Sequence, residues 1–167
     1  MFRKHFERTV MDGDSITCNV DGFHCVATLH YDDDTTPPDE RQEGFWPSLD
    51  PKDPGYIGAK SKRTLERERA YMQHVLDSWY RDEWHYYGDV VDVYKAGVKL
   101  TRDYANALWG IEGNWPSRQK SKNTNVYFRD VANEYLPQAL AEAKQKLAEL
   151  RDHDDELAGI NSVAELI

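Results

Sequence analysis

Cys18 and Cys25, with His24 and His30 beside them in the chain, are by type the residues best suited to hold zinc, which takes thiolate and imidazole ligands in a tetrahedron. Asp32, Asp33 and Asp34 are a carboxylate run of the kind that attracts hard cations. They lack the Ca²⁺-loop spacing of a Gly at about position six and a Glu at about position twelve, so a solvated acidic loop is expected. Paired carboxylates can do general acid and base work, and Glu112 falls near the end of one predicted strand with Asp89 and Asp92 on its neighbour. An acidic chain supplies such pairs by chance. His85 and Asp89 sit on one strand face about two repeats apart, too far for a hydrogen-bonded dyad. His74 and His85 have no ligand-spaced companion. There is no Gly-x-Ser-x-Gly elbow, phosphate loop, Cys-x-x-Cys or His-Glu-x-x-His. No catalytic residue, metal or cofactor is expected.

The elements that would carry these residues decide the zinc question. Residues 15–20 and 23–29 alternate with period two around Asp21-Gly22, the preferred two-residue hairpin turn. Such a turn pairs Val20 with Phe23, Cys18 with Cys25 and Ile16 with Ala27. One face then reads Ile16, Cys18, Val20, Phe23, Cys25, Ala27, Leu29 and belongs to the core; the other carries Thr17, Asn19, His24, Val26, Thr28 and His30. The cysteines and the histidines point to opposite faces, so the hairpin cannot assemble a two-Cys, two-His site. The cysteine pair also falls at a hydrogen-bonded position, where side chains diverge. Two buried, reduced thiols are expected.

Residues 32–60 read as a long connection, and its prolines are taken to exclude helix and central strand. Phe45, Trp46 and Tyr56 should pin parts of it to the body. A helix is predicted from Ser61, its cap, to about Glu83, with Leu65, Tyr71, Met72, Val75, Leu76, Trp79 and Tyr80 on one face. Its basic first turn opposes the helix dipole and calls for solvent or an acidic partner. Strands follow at 84–94, 98–101 and 107–112, with a turn at Lys95-Ala96-Gly97. A second long helix is predicted from about Asn125 to Leu150, with Val131, Tyr135, Leu140, Ala143, Leu147 and Leu150 on one side, kinked or divided at Pro137. The result is an α+β fold: a single antiparallel sheet of about four to six strands with two principal helices packed on it. Residues 1–150 form one domain, and 151–167 form an acidic tail or separate short helix.

The 167 residues carry a net charge of -9, distributed unevenly. Residues 12–59 hold eleven acidic residues against two basic, and 123–167 nine against four, while 60–122 hold twelve basic against nine acidic. Duplex DNA is a poor general ligand for such a chain, because phosphate neutralisation needs a positive face. A basic macromolecule fits better. The candidate contacts are Asp32, Asp33, Asp34, Asp39, Glu40, Glu43 and Trp46, with Asp152, Asp154 and Asp155 in the tail; the carboxylates would take the place of phosphates in a basic channel. The alternative is a nucleic-acid surface built from Lys60, Lys62, Arg63, Arg67 and Arg69 with Arg118, Lys120 and Lys122. A small enzyme ranks third. No run approaches a membrane span and the opening residues lack a signal peptide's apolar stretch, so a cytoplasmic location without membrane attachment is expected.

Leu108-Trp109-Gly110-Ile111-Glu112, Val131-Ala132-Asn133-Glu134-Tyr135-Leu136-Pro137 with Ala139-Leu140, Gly13-Asp14-Ser15-Ile16-Thr17-Cys18 with Asp21-Gly22-Phe23 and Ala27-Thr28, and Asp82-Glu83-Trp84-His85-Tyr86 give the chain its one resemblance. It resembles a family of small proteins encoded by tailed phages, prophages and related mobile elements, over most of residues 12–150. The family brings no activity that maps onto residues. What it implies is origin as an accessory protein, by analogy an inhibitor of host defence of the anti-CRISPR or anti-restriction type, bound to a host protein complex in the host cytoplasm. Self-association stays open.

Overall fold

The computed structural model describes residues 1–58, 61–119 and 121–164, with backbone alone after residue 151. Strands β1 (Ser15–Val20) and β2 (Phe23–Tyr31) form the expected hairpin, with Cys18 opposite Cys25 and Val20 opposite Phe23. Asp21 and Gly22 both take positive φ, as a two-residue turn between twisted strands requires. β3 (His85–Lys95) pairs antiparallel with β2 along one edge. Its other edge takes β4 (Val98–Lys99) and then β5 (Ala107–Gly113), giving one five-stranded antiparallel sheet, as the α+β reading expects.

Helix α1 (Pro38–Arg41) corrects the exclusion of helix from the loop. Pro38 stands in the first turn, where a missing N–H costs nothing, and Asp39 and Glu40 complement the positive end of the turn. α2 (Lys62–Tyr80) is capped by Ser61, whose Oγ accepts from the Thr64 N–H at 3.3 Å. It buries Val75, Leu76 and Ser78 while Tyr80 stays exposed, so the apolar face stops short of the expected Tyr80 and the helix short of Glu83. α3 (Phe128–Ala164) runs through Pro137 as one helix and past residue 150, where a separate element was expected. Leu150, assigned to its apolar side, is exposed.

Two apolar clusters hold these pieces. In the larger, Phe128, Ala132, Leu136, Ala139 and Ala143 of α3 pack on the Ile16, Cys25, Ala27, Leu29, Val91 and Val93 face of the sheet. Phe2, Phe6 and Val10 close it from the N-terminal segment, a contribution the sequence reading missed. In the smaller, α2 meets the end of β3 through Val75, Leu76, Trp84 and Tyr86, with Phe45 from the loop. The Trp84 indole N–H donates to the Val75 carbonyl at 2.9 Å. α3 therefore covers one sheet face, and α2 reaches only the Tyr86 end of the other.

Cys25 is buried and Cys18 half-buried, both free thiols. Burial and the neighbouring Cys18 push the Cys25 thiol up to about 11, so it stays protonated at neutral pH.

The β3–β4 turn offers a stabilising change. Ala96 has φ +49° beside Gly97 at +81°, a left-handed conformation that costs a Cβ-bearing residue about 1 kcal/mol or more. Ala96→Gly or Ala96→Asn is expected to raise stability by roughly 1 kcal/mol, read as a shift of the urea midpoint at unchanged slope.

Candidate partner-binding surface

The acidic stretch leaves β2 at Tyr31 and divides into structural and free charges. Asp32 is largely covered and pairs with Arg41 at 3.6 Å, and the Arg41 guanidinium lies 4.0 Å over the Tyr86 ring. The Asp32 N–H donates to the Tyr86 carbonyl at 3.0 Å. Asp32 is thus spent on anchoring α1 to the sheet, a correction to its expected place in a solvated run. Asp33 and Asp34 are exposed.

Beyond them, α1 and the following turn gather Asp39, Glu40, Glu43 and Trp46 with Asp53 around one shallow concavity of about 480 Å³. Gly44 makes this possible: its φ is +81°, and a Cβ there would strike the Pro54 backbone. Phe45 is buried while Trp46 turns outward, 38% exposed, with its ring edge-on to Phe45 at 5.1 Å. Of the three aromatics expected to pin the loop, Phe45 does so; Trp46 and Tyr56 are exposed.

Lys144 of α3 reaches Asp21 at the hairpin turn, 3.1 Å away, at the opposite end of β2 from Asp32. The side chains of Asp152, Asp154 and Asp155 lie outside the described residues.

The alternative basic surface is spent on the fold in part, through Arg67, Arg69 and Arg118. Arg118 grips Glu68 through both guanidinium nitrogens (3.1 and 2.6 Å) and stacks on Tyr71 at 4.0 Å; Arg67 also reaches Glu68. Arg118 and then Arg67 hold the Glu68 carboxyl below its ordinary range. Arg69 donates to the Pro47 carbonyl at 3.0 Å, tying α2 to the loop before it. Lys62 and Arg63 are exposed, and Lys60 and Lys120 lie outside the described residues.

Three features go beyond the sequence reading, which named Glu112 and Asp89 only as carboxylates paired by chance. A groove of about 930 Å³ runs beside β5, walled by Leu108, Ile111, Val131 and Met72, with Glu112 held in it by a 2.7 Å hydrogen bond from Gln42. Asp89 is fully buried opposite Leu29, and neither carboxylate oxygen has a hydrogen-bond partner among the described residues. Burial alone raises it to about 8. Trp109 lies flat on Gly88, where a Cβ would sit inside the indole ring, and Tyr104 stands beside it at 5.8 Å. The mid-strand Gly88 was the available signal, since glycine inside a strand marks a bulge or a close approach.

Among the described residues no three His, Cys, Asp or Glu side chains cluster as metal ligands, and no helix is long and apolar enough to cross a membrane. Comparison of the chain with protein-family models, curated proteins and solved structures gives no match.

Proposed function

We propose that this chain is a non-catalytic binding protein, the accessory product of a phage or mobile element, that inhibits a host defence machine of the anti-CRISPR or anti-restriction type in the host cytoplasm. It does so by offering carboxylates to a surface built for phosphates. The observation that carries the reading is the concavity in which Asp39, Glu40, Glu43 and Asp53 surround the exposed Trp46, with Asp33 and Asp34 exposed earlier in the same loop. Clustered carboxylates steer and align a basic partner, and an exposed Trp supplies the buried anchor that dominates interface energetics.

The test is capture of nucleic-acid-binding complexes from host lysate on immobilised protein, with identification by mass spectrometry. A defence complex displaced by added duplex DNA is expected. Replacing Asp33 and Asp34 by Asn and Glu40 and Glu43 by Gln should weaken capture and flatten its salt dependence. Trp46→Ala should cost about 2 kcal/mol of binding while the melting temperature holds. Capture indifferent to all five substitutions would overturn the reading.

A further inference from the structure

The sheet face away from α3 is covered by α2 only at its Tyr86 end, and Trp109 stands on its open part. Gly88 pairs with His30 across the sheet, so Trp109 occupies the His30 face. One side of the indole rests on the Gly88 backbone and the ring is 41% exposed, which leaves its other side open. Tyr104, 58% exposed, flanks it at 5.8 Å and meets His30 edge-on at 5.9 Å.

Tyr104 holds this position at a cost. Its φ is +58°, a conformation in which a bulky side chain is strained. Gly or Asn would make the same turn without strain, and neither would put a second ring against Trp109.

The border of the patch is acidic. Asp12 lies 3.8 Å from His30, and at Gly110, the residue after Trp109, the Arg41 guanidinium stands nearest with its partner Asp32 behind it. Asp103 precedes Tyr104 and is 80% exposed along its side chain. The bordering cations are engaged: Arg41 with Asp32 and the Tyr86 ring, Lys99 with Asp92 at 2.9 Å and Asp103 at 2.8 Å. With Asp12, Asp32, Asp92 and Asp103 against Arg41 and Lys99 the border stays net negative, so the open indole face attracts a cation and repels a phosphate. Between the two cationic side chains, arginine fits better. Its planar guanidinium stacks on the ring while its edge stays free for carboxylates, whereas the ammonium of lysine is a compact, strongly hydrated charge.

We propose that Trp109 and Tyr104 form a receptor for an arginine side chain of a basic protein partner. The proposal rests on the reading above that the partner is basic, and adds which residue of that partner is recognised and where.

Fluorescein-labelled nona-arginine and nona-lysine peptides, titrated with the full chain by fluorescence anisotropy, test it. The wild type should bind nona-arginine about three- to fivefold more tightly than nona-lysine, the range of one exposed cation–π contact. Trp109→Leu should abolish that preference at unchanged melting temperature. Tyr104→Gly, which relieves the positive φ, should reduce the preference while raising the melting temperature, a combination that a merely structural tyrosine would not give. Should Trp109→Leu fail to fold, Tyr104→Gly decides the matter alone. An equal affinity for both peptides, or an arginine preference that survives these substitutions, overturns the arginine receptor and leaves the acidic-surface reading standing. Binding of neither peptide overturns both. A single-stranded oligonucleotide that binds the wild type and is lost with Trp109→Leu overturns the proposal in favour of base stacking.

Discussion

Asp89→Asn is expected to stabilise the protein at neutral and alkaline pH, by on the order of 3 to 5 kcal/mol at pH 8, and to remove most of the pH dependence of stability between pH 4 and 8. Asp89 is fully buried, and its two oxygens lack partners among the described residues, so the folded state resists its ionisation and its pKa rises from 3.8 to about 8. The unfolded chain releases the proton near pH 4; the folded chain keeps it. The stability contributed by that bound proton is complete below the unfolded value, declines by about 1.4 kcal/mol per pH unit above it, and is gone once pH passes the folded value. Asn has nearly the same shape and no proton to lose, so its unfolding free energy should be nearly level across that window. Urea unfolding at pH 5, 7 and 9 reads the difference, and parallel slopes for wild type and variant would assign the linked proton to another group. Glu142, held below its ordinary value by Arg102 and Asn106 despite its burial, acts in the opposite sense. Its contribution is present above the unfolded value and disappears as pH falls through the folded one, so acid destabilisation below about pH 4 should persist in the variant.

Asn125→Ala is expected to destabilise by about 3 kcal/mol or more and to release the N-terminal segment before the rest of the fold. Asn125 is fully buried. Its amide nitrogen donates to the Glu7 carbonyl at 3.2 Å, the Arg8 carbonyl at 3.0 Å and Asn114 Oδ1 at 3.0 Å, while its oxygen accepts from the Asn114 N–H at 2.8 Å. Alanine strands those groups in a dry site, each at about 1–3 kcal/mol if left unpaired. Asn114 in turn accepts from the Val10 N–H at 2.9 Å and donates to the Val10 carbonyl at 2.8 Å, so the damage passes to the residue that plugs the core. Hydrogen exchange of the Val10 amide should accelerate well beyond that of β3 amides. Equal acceleration in both would mean that segment and sheet unfold as one unit. Asn125→Asp should do no better than Ala, because it turns the donor toward three oxygens into another acceptor.

The hairpin was legible to the residue because period two and Asp21-Gly22 leave one register that buries Ile16, Cys25, Ala27 and Leu29 together. The capped start of α2 was equally clear, since Ser61 precedes a run of helical spacing. Phe2, Phe6 and Val10 were not legible: they lie in irregular chain, where no period marks an apolar residue as buried. α1 was hidden by the prolines, one of which sits where a helix accepts it. Residues 151–164 lost the apolar period while keeping helical backbone, and pattern reading follows the period alone. The acidic candidates were chosen by charge, and charge could not tell Asp32, committed to Arg41, from exposed Asp33 and Asp34. Trp109 was placed in its strand; only the seat on Gly88 shows that its ring is displayed.

The N-terminal segment also sets the order in which the molecule can be completed during synthesis. Phe2 is held by Asn133, Val10 by Asn114, and the carbonyls of Glu7 and Arg8 by Asn125, partners 104 to 131 residues away. At translation rates of roughly 5–20 residues per second, the segment waits on the order of ten seconds for residues made long after it. Through that interval Phe2, Phe6 and Val10 are free apolar side chains on a growing chain, suitable for a chaperone and hazardous to a neighbouring ribosome's product. The hairpin and β3 can pair meanwhile, because their turn and register are local. The fold is therefore sealed late, by residues made well before their partners, when the start of α3 leaves the ribosome.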